Sequence, residues 1–270
     1  MRRLKIFAKG NVDVFDSLHA CRIGGEVVWN GVNELLRARG LGAARIRHET
    51  STGARGLLHP PATGGPLAAC PAALESYPLA MQASGELFVT DADAIVLSIL
   101  PDVVMRHFRS RENGGHVYIN DQGPLDAAAA AWLAETHVIT DLPGVEETHA
   151  AWLEILSRIR AHTQAPVLIY NLSPVGPGPI VHCFLGLEDT LFERIRRFNL
   201  MLIKLSEETG VSIIDVESVV AKAGADRAKL DLHHLTGEGA RLVAEEVVRV
   251  LEDYGLFDDQ GPIDRDEATA

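Results

Sequence analysis

Residues 92–100 read Ala-Asp-Ala-Ile-Val-Leu-Ser-Ile-Leu, one charge followed by an almost unbroken apolar run. A run with no polar face to offer water fits a strand covered on both sides, and such strands occur in parallel sheets sandwiched between helices. Pro101 ends the run. Leu4–Ala8, Ala165–Tyr170 and Gly210–Val216 are shorter runs of the same kind, and amphipathic stretches lie between them. Residues 4–8, 94–100, 166–170 and 211–216 are therefore expected to form neighbouring parallel strands of one sheet, with helices on both faces and ligand sites at the strands' C-terminal ends.

The helical stretches follow from spacing. Gly25–Arg39 places Val27, Val28, Val32, Leu35 and Leu36 on one stripe before Gly40. Glu146–Thr163 does the same with Trp152, Ile155, Leu156 and Ile159; Leu125–His137 is alanine-rich, and Glu188–Thr209 and Ala240–Leu251 are further helices. Ala43–Glu49 reads as a strand and His116–Ile119 as a short one. Thr50–Pro66, rich in Gly, Pro and Thr, reads as loop, and Pro66–Ser84 as a helix or two.

At 270 residues, 47% hydrophobic and 23% charged, the chain can bury one sizeable α/β core, expected over residues 1–257 with an acidic tail at 258–270. A net charge of −12 argues against nucleic acid and anionic membranes as partners without identifying a substrate, and the expected partner is a small-molecule substrate. Cys21, Cys70 and Cys183 are odd in number and widely spaced, which signals no disulfide framework and suits a cytoplasmic location. The first nine residues are interrupted by Lys5 and Lys9 and make a poor signal peptide. The oligomeric state stays open.

Chemistry concentrates in Asp231-Leu-His-His234-Leu-Thr-Gly-Glu-Gly239. A carboxylate three residues before an imidazole, on a turn leading into a helix, can orient that imidazole as a general base. Thr236 or Gly237 caps the helix. With the strand 210–216 before it and the order of elements over residues 3–254, this block resembles the SGNH, or GDSL-type, hydrolase superfamily. The resemblance implies a flavodoxin-like three-layer α/β sandwich, a Ser nucleophile near the N-terminus, and an oxyanion hole built by a Gly and an Asn on two intermediate loops.

Carried onto this chain, the resemblance makes Ser17, His234 and Asp231 the catalytic residues of an esterase, deacylase or acyltransferase acting on a small polar metabolite or glycan. Two alignments of the first block compete. In one, the loop from Gly10 is long and Ser17, in Phe15-Asp16-Ser17-Leu18-His19, is the nucleophile; in the other, Gly10-Asn11-Val12 is the signature and Val12 stands where the Ser is missing. Gly53, in Thr52-Gly53-Ala54-Arg55-Gly56, is the oxyanion candidate of the second block. The third block falls at Leu100-Pro101-Asp102, without its Gly and Asn, while Asn120-Asp121 offers those letters elsewhere. Asn11, Asp16, His19 and Asp102 complete the candidate substrate-binding set.

No metal and no cofactor are expected: there is no His-x-x-x-His and no Gly-x-x-x-x-Gly-Lys phosphate loop, and 173–179 is too proline-rich to cradle phosphate and suits a stiff rim. The rival readings are a ligand-binding protein on the same scaffold, and an enzyme using Asp231 and His234 without a Ser nucleophile.

Overall fold

The computed structural model describes residues 3–62, 78–119, 127–177 and 184–258. In chain order the elements are β1 (Leu4–Lys9), α1 (Val12–Leu18), β2 (Ala20–Ile23), β3 (Glu26–Asn30), α2 (Val32–Ala38), β4 (Ala44–Glu49), α3 (Gly53–Leu58), α4 (Leu79–Gln82), β5 (Ala94–Ser98), α5 (Leu100–Val104), β6 (Phe108–Ser110), β7 (His116–Val117), α6 (Ala127–Thr136), β8 (His137–Ile139), α7 (Val145–Arg160), β9 (Val167–Tyr170), α8 (Leu191–Thr209), β10 (Ser212–Ile214), α9 (Val216–Ala223), α10 (Ala225–Ala228) and α11 (Gly237–Asp253).

The expected sheet is present: five strands in the order β10-β9-β5-β1-β4, with parallel pairing throughout. Its apolar runs divide by the two-residue strand period. Ile6, Ala8, Ala94, Val96, Leu168 and Tyr170 face one core, shared with α1, α2, α9 and α11. Phe7, Ile95, Leu97, Val167 and Ile169 face the other, shared with α3, α5, α7 and α8. Both sides of β5 and β9 are thus covered, which is why these strands show runs rather than alternation, whereas the edge strand β4 alternates. Two small sheets, β2-β3 and β7-β6-β8, lie outside this sandwich.

Three local expectations fail. Gly25–Arg39 is not one helix: Ala20–Ile23 and Glu26–Asn30 form an antiparallel hairpin, and only Val32–Ala38 is helical. Gly24 and Gly25 both take positive φ, 59° and 90°, which supplies the tight turn, and Val27, Val28 and Trp29 are residues that favour strands. Within 50–66, Gly53–Leu58 is helical and buries Ala54 and Leu57. Pro101 does not simply end β5 but sits in the first turn of α5, where a missing N–H is harmless. Most of the helix expected in 66–84, residues 120–126, part of the 173–179 rim, Cys70, Cys183 and the tail beyond 258 lie outside the described residues.

The order β10-β9-β5-β1-β4 sends the chain to opposite sides of β1 and β5, so their C-terminal ends splay into the crevice where open α/β sheets bind ligands. The loops after β1, β4, β5 and β9 and the turn before α11 supply the residues considered next.

Candidate active site

Asp231 and His234 meet as expected. The Asp231 carboxylate lies 2.9 Å from His234 Nδ1 and also accepts the backbone N–H groups of His233 (2.7 Å) and His234 (2.8 Å). Because a carboxylate only accepts, Nδ1 carries the proton and Nε2 is left as the basic nitrogen. Burial works to raise the Asp231 pKa, but the two backbone N–H groups and the imidazole outweigh it and hold the carboxyl below its usual range. The His234 side chain is 49% exposed, and its Nε2 makes no hydrogen bond among the described residues. The turn is closed by Leu230 N–H to the His234 carbonyl and by the bridge between Lys229 and Leu235. Thr236 caps α11 through its Oγ1, which accepts from Gly239 N–H at 3.0 Å.

Asp16 belongs to the same corner. Its carboxylate accepts Leu235 N–H at 3.1 Å, fixing α1 against the turn. Burial raises its pKa, opposed by that N–H and by His234.

Ser17 does not join them. It is 0% exposed, in the last turn of α1, and its hydroxyl bonds to the Val14 carbonyl (3.1 Å) and the Tyr170 hydroxyl (2.9 Å). The contact with His234 expected of a nucleophile is not made; this is a helix Ser bonding back to its own turn, in the core shared by Tyr170 and Trp29. Val12, the first residue of α1, follows β1 after Gly10 and Asn11 and stands where the signature Ser was expected.

The oxyanion and substrate candidates are mostly built into the fold. Gly53 N–H is taken by Ser51 Oγ at 3.2 Å. Asp102, expected at a substrate, is 2% exposed, with its carboxylate accepting Ala54 N–H (2.7 Å) and Trp152 Nε1–H (3.0 Å); it buckles α3 to α5 and α7. Burial lifts its carboxyl to about 6 against those two donors. Gly53, at φ +83°, is required here because a Cβ would come 2.6 Å from Asp102 Oδ1. Asn11 accepts Ser51 N–H and donates to Met105 Sδ, tying three loops together. His19 is not a free loop residue: its Nε2 lies 3.0 Å from His48 Nδ1, and His48 Nε2 donates to the Gly10 carbonyl.

The sequence reading missed Asp13 and Lys229. Asp13 accepts from Ser98 Oγ at the splayed ends of β1 and β5, and Lys229 donates to the Leu232 carbonyl at 2.5 Å beneath the Asp231–His234 turn. Asp13 follows Val12 and Lys229 precedes Asp231 by two residues, so both had an address; an isolated charge carried no sign that it would be buried. Among the described residues no group of His, Cys, Asp and Glu is disposed to hold a metal ion, and no helix is long and apolar enough to cross a membrane.

No family model matches the chain, and no curated protein sequence matches it. Solved structures do. Est24, a carbohydrate acetylesterase from Sinorhizobium meliloti, aligns over 93% of this chain and 100% of its own, with TM-score 0.50 and 10% identity. LAE5, an α/β hydrolase enzyme from the metagenome of Lake Arreo, Spain, aligns over 92% and 95%, with TM-score 0.50 and 12% identity. The chain shares the α/β fold of these two enzymes, a parallel central sheet between helices. A member of the lipolytic G-D-S-L family from Veillonella parvula also aligns, over 92% and 98%, with TM-score 0.46 and 12% identity. In this chain the turn before α11 pairs Asp231 with His234, and the element after the first strand opens on Val12.

The buried ionisable groups set a pH dependence. Burial is the leading cause that pushes the imidazoles of His19, His48, His107, His116, His137 and His233 below their usual value, to about 4 for His19 and His116 and about 3 for His107. A depressed imidazole stabilises the fold fully above its unfolded value, roughly 6.5, and that contribution is lost as pH falls through the folded value. Asp13, Asp16 and Asp102 are raised by burial and act oppositely: their contribution is present below roughly 4 and lost as pH rises, through about 6 for Asp102. Six imidazoles outnumber three carboxyls, so the urea midpoint is expected to be lower at pH 4.5 than at pH 6.5. An equal or higher midpoint at pH 4.5 would contradict this balance.

Proposed function

We propose that this chain is an enzyme of the esterase, deacylase or acyltransferase type in which His234, oriented by Asp231, acts as general base on a water or a substrate hydroxyl rather than on a protein serine. One observation carries the reading: an exposed imidazole has its Nδ1 held by a carboxylate and its Nε2 open, while Ser17 is buried and bonded to Tyr170. His234 would take the proton as the water or hydroxyl oxygen attacks an acyl carbon, and would return it to the departing group. Asp231 stays ionised and stabilises the imidazolium formed between these steps. An acylated carbohydrate or small polar metabolite suits the half-open position of the dyad, and Est24, of the same fold, is a carbohydrate acetylesterase.

The test combines p-nitrophenyl acetate turnover with a fluorophosphonate probe. Turnover without a serine adduct is expected, and Ser17→Ala should keep kcat within about threefold while losing about 1 kcal/mol of stability with the Tyr170 hydrogen bond. An adduct on Ser17, or a thousandfold loss in Ser17→Ala, would reinstate Ser17 as nucleophile. The engaged Gly53 N–H and the closed Asp102 buckle favour a second reading, a ligand-binding protein on this scaffold. Turnover indistinguishable between the wild-type chain and His234→Ala would select it.

A further inference from the structure

Behind the dyad turn lies a narrow cavity of about 20 Å³, lined by Asp13, Asn171, Ser173, Lys229, Leu232 and His233 among others. That is room for one water. Two polar atoms on its wall are buried and unpartnered: Asp13 Oδ1 and His233 Nδ1. Asp13 is 8% exposed, and its other oxygen is already engaged by Ser98. Lys229, 5% exposed, spends one ammonium hydrogen on the Leu232 carbonyl and has two left. Asn171 and Ser173 are otherwise occupied, the first by Asp215 and Glu217 N–H, the second by the Val175 carbonyl.

We infer that Lys229 is a positioning residue for the Asp231–His234 pair, sharing one buried water with Asp13 and His233 so that the turn is fixed from beneath. A water there accepts from Lys229 Nζ and donates to Asp13 Oδ1 and His233 Nδ1, three partners for the three unmet groups. The alternative, without a bridge, leaves the Asp13 carboxylate oxygen and the His233 ring nitrogen buried and unpartnered beside an ammonium with two hydrogens unspent. Within the turn the grip is short-range: Lys229 holds Leu232, whose carbonyl precedes the two N–H groups that Asp231 accepts, and Lys229 pairs through its backbone with Leu235. The charged and titratable groups that face the ammonium are Asp13 from α1 and Asp231 and His233 from its own turn. Burial lowers the Lys229 pKa to about 8, with Asp231 and Asp13 opposing.

This inference rests on the reading of His234 as base, so its test includes a readout independent of turnover. Ring-nitrogen NMR of His233 and His234 would be recorded in the wild-type chain, in Lys229→Met, which keeps the stem and removes the charge, and in Asp13→Asn, which keeps the shape. Burial leads in depressing His233 and the Lys229 charge adds to it, so His233 should titrate at higher pH in Lys229→Met. The downfield Nδ1–H signal of His234 should weaken in both, and a nuclear Overhauser contact from a long-lived water to the His233 and Leu235 amides should vanish. With p-nitrophenyl acetate, kcat should fall about tenfold and KM stay within about twofold, as a displaced base predicts. A His233 titration unchanged in Lys229→Met, or a His234 signal and water contact unchanged in Asp13→Asn, would overturn the inference, as would absence of the water contact in the wild-type chain. If Lys229→Met does not fold, Asp13→Asn decides alone. Loss of the base reading shows separately, as His234→Ala retaining turnover while the NMR result stands.

Discussion

His234→Ala should lower turnover of an activated ester by about 10²–10⁴-fold, the range that a positioned general base supplies, whereas His233→Ala should stay within about tenfold of the wild-type rate. The difference follows from geometry rather than from residue type. His234 has its Nδ1 bound to Asp231 and its side chain half in solvent; His233, its neighbour, turns its ring nitrogen into the closed cavity beneath the turn. Asp231→Asn should lose about a hundredfold or more with KM little changed, because an amide that donates toward Nδ1 stabilises the wrong tautomer. Steady-state kinetics on the three variants checks this. Equal losses in His233→Ala and His234→Ala would mean that both imidazoles serve one site or that the dyad has been misassigned.

Gly239→Ala should destabilise the fold by about 2–3 kcal/mol and lower Tm by about 4–10 °C. A Cβ at this position would lie 2.0 Å from the Ala228 carbonyl oxygen and 2.8 Å from its carbon, atoms of backbone that cannot swing aside. The same carbonyl accepts Thr236 N–H at 3.0 Å, so relieving the clash breaks a hydrogen bond at the cap of α11 and shifts the turn that carries Asp231 and His234. Gly237 is under similar pressure from the Val28 carbonyl, 2.5 Å from its would-be Cβ. Thermal melting measures the first effect; a Tm within about 1 °C of wild type would show that α10 and α11 do not press together as described.

Those two glycines show why the block 231–239 was legible as a unit. Its Thr caps, its glycines admit the α10 and β3 backbones, and its Asp binds the following N–H groups and the His, all through contacts within a few residues or at the helix start. The parallel sheet was legible for a comparable reason: burial on both faces leaves β5 and β9 apolar except for Ser98 and the Tyr170 hydroxyl, and that run is visible without any coordinates. Local pattern misled where two structures share a pattern. Val27, Val28 and Val32 fit a helical stripe, yet the positive φ available to Gly24 and Gly25 and the β preference of Val27, Val28 and Trp29 turned the first half of that stretch into a hairpin.

The sequence by itself determined the sheet, the order of its covering helices, and the pairing of Asp231 with His234, because each depends on periodicity or on residues three apart. The tertiary structure alone decided what the remaining polar residues do. Ser17 bonds a tyrosine 153 positions away, Asp102 receives an N–H from α3 and an indole from α7, and Asp13 and Lys229, 216 residues apart, line one cavity. A polar side chain carries no mark of whether it will meet water or a buried partner; that is settled by which distant backbone and side-chain groups the packed helices bring within hydrogen-bonding reach, since a group removed from water must find one.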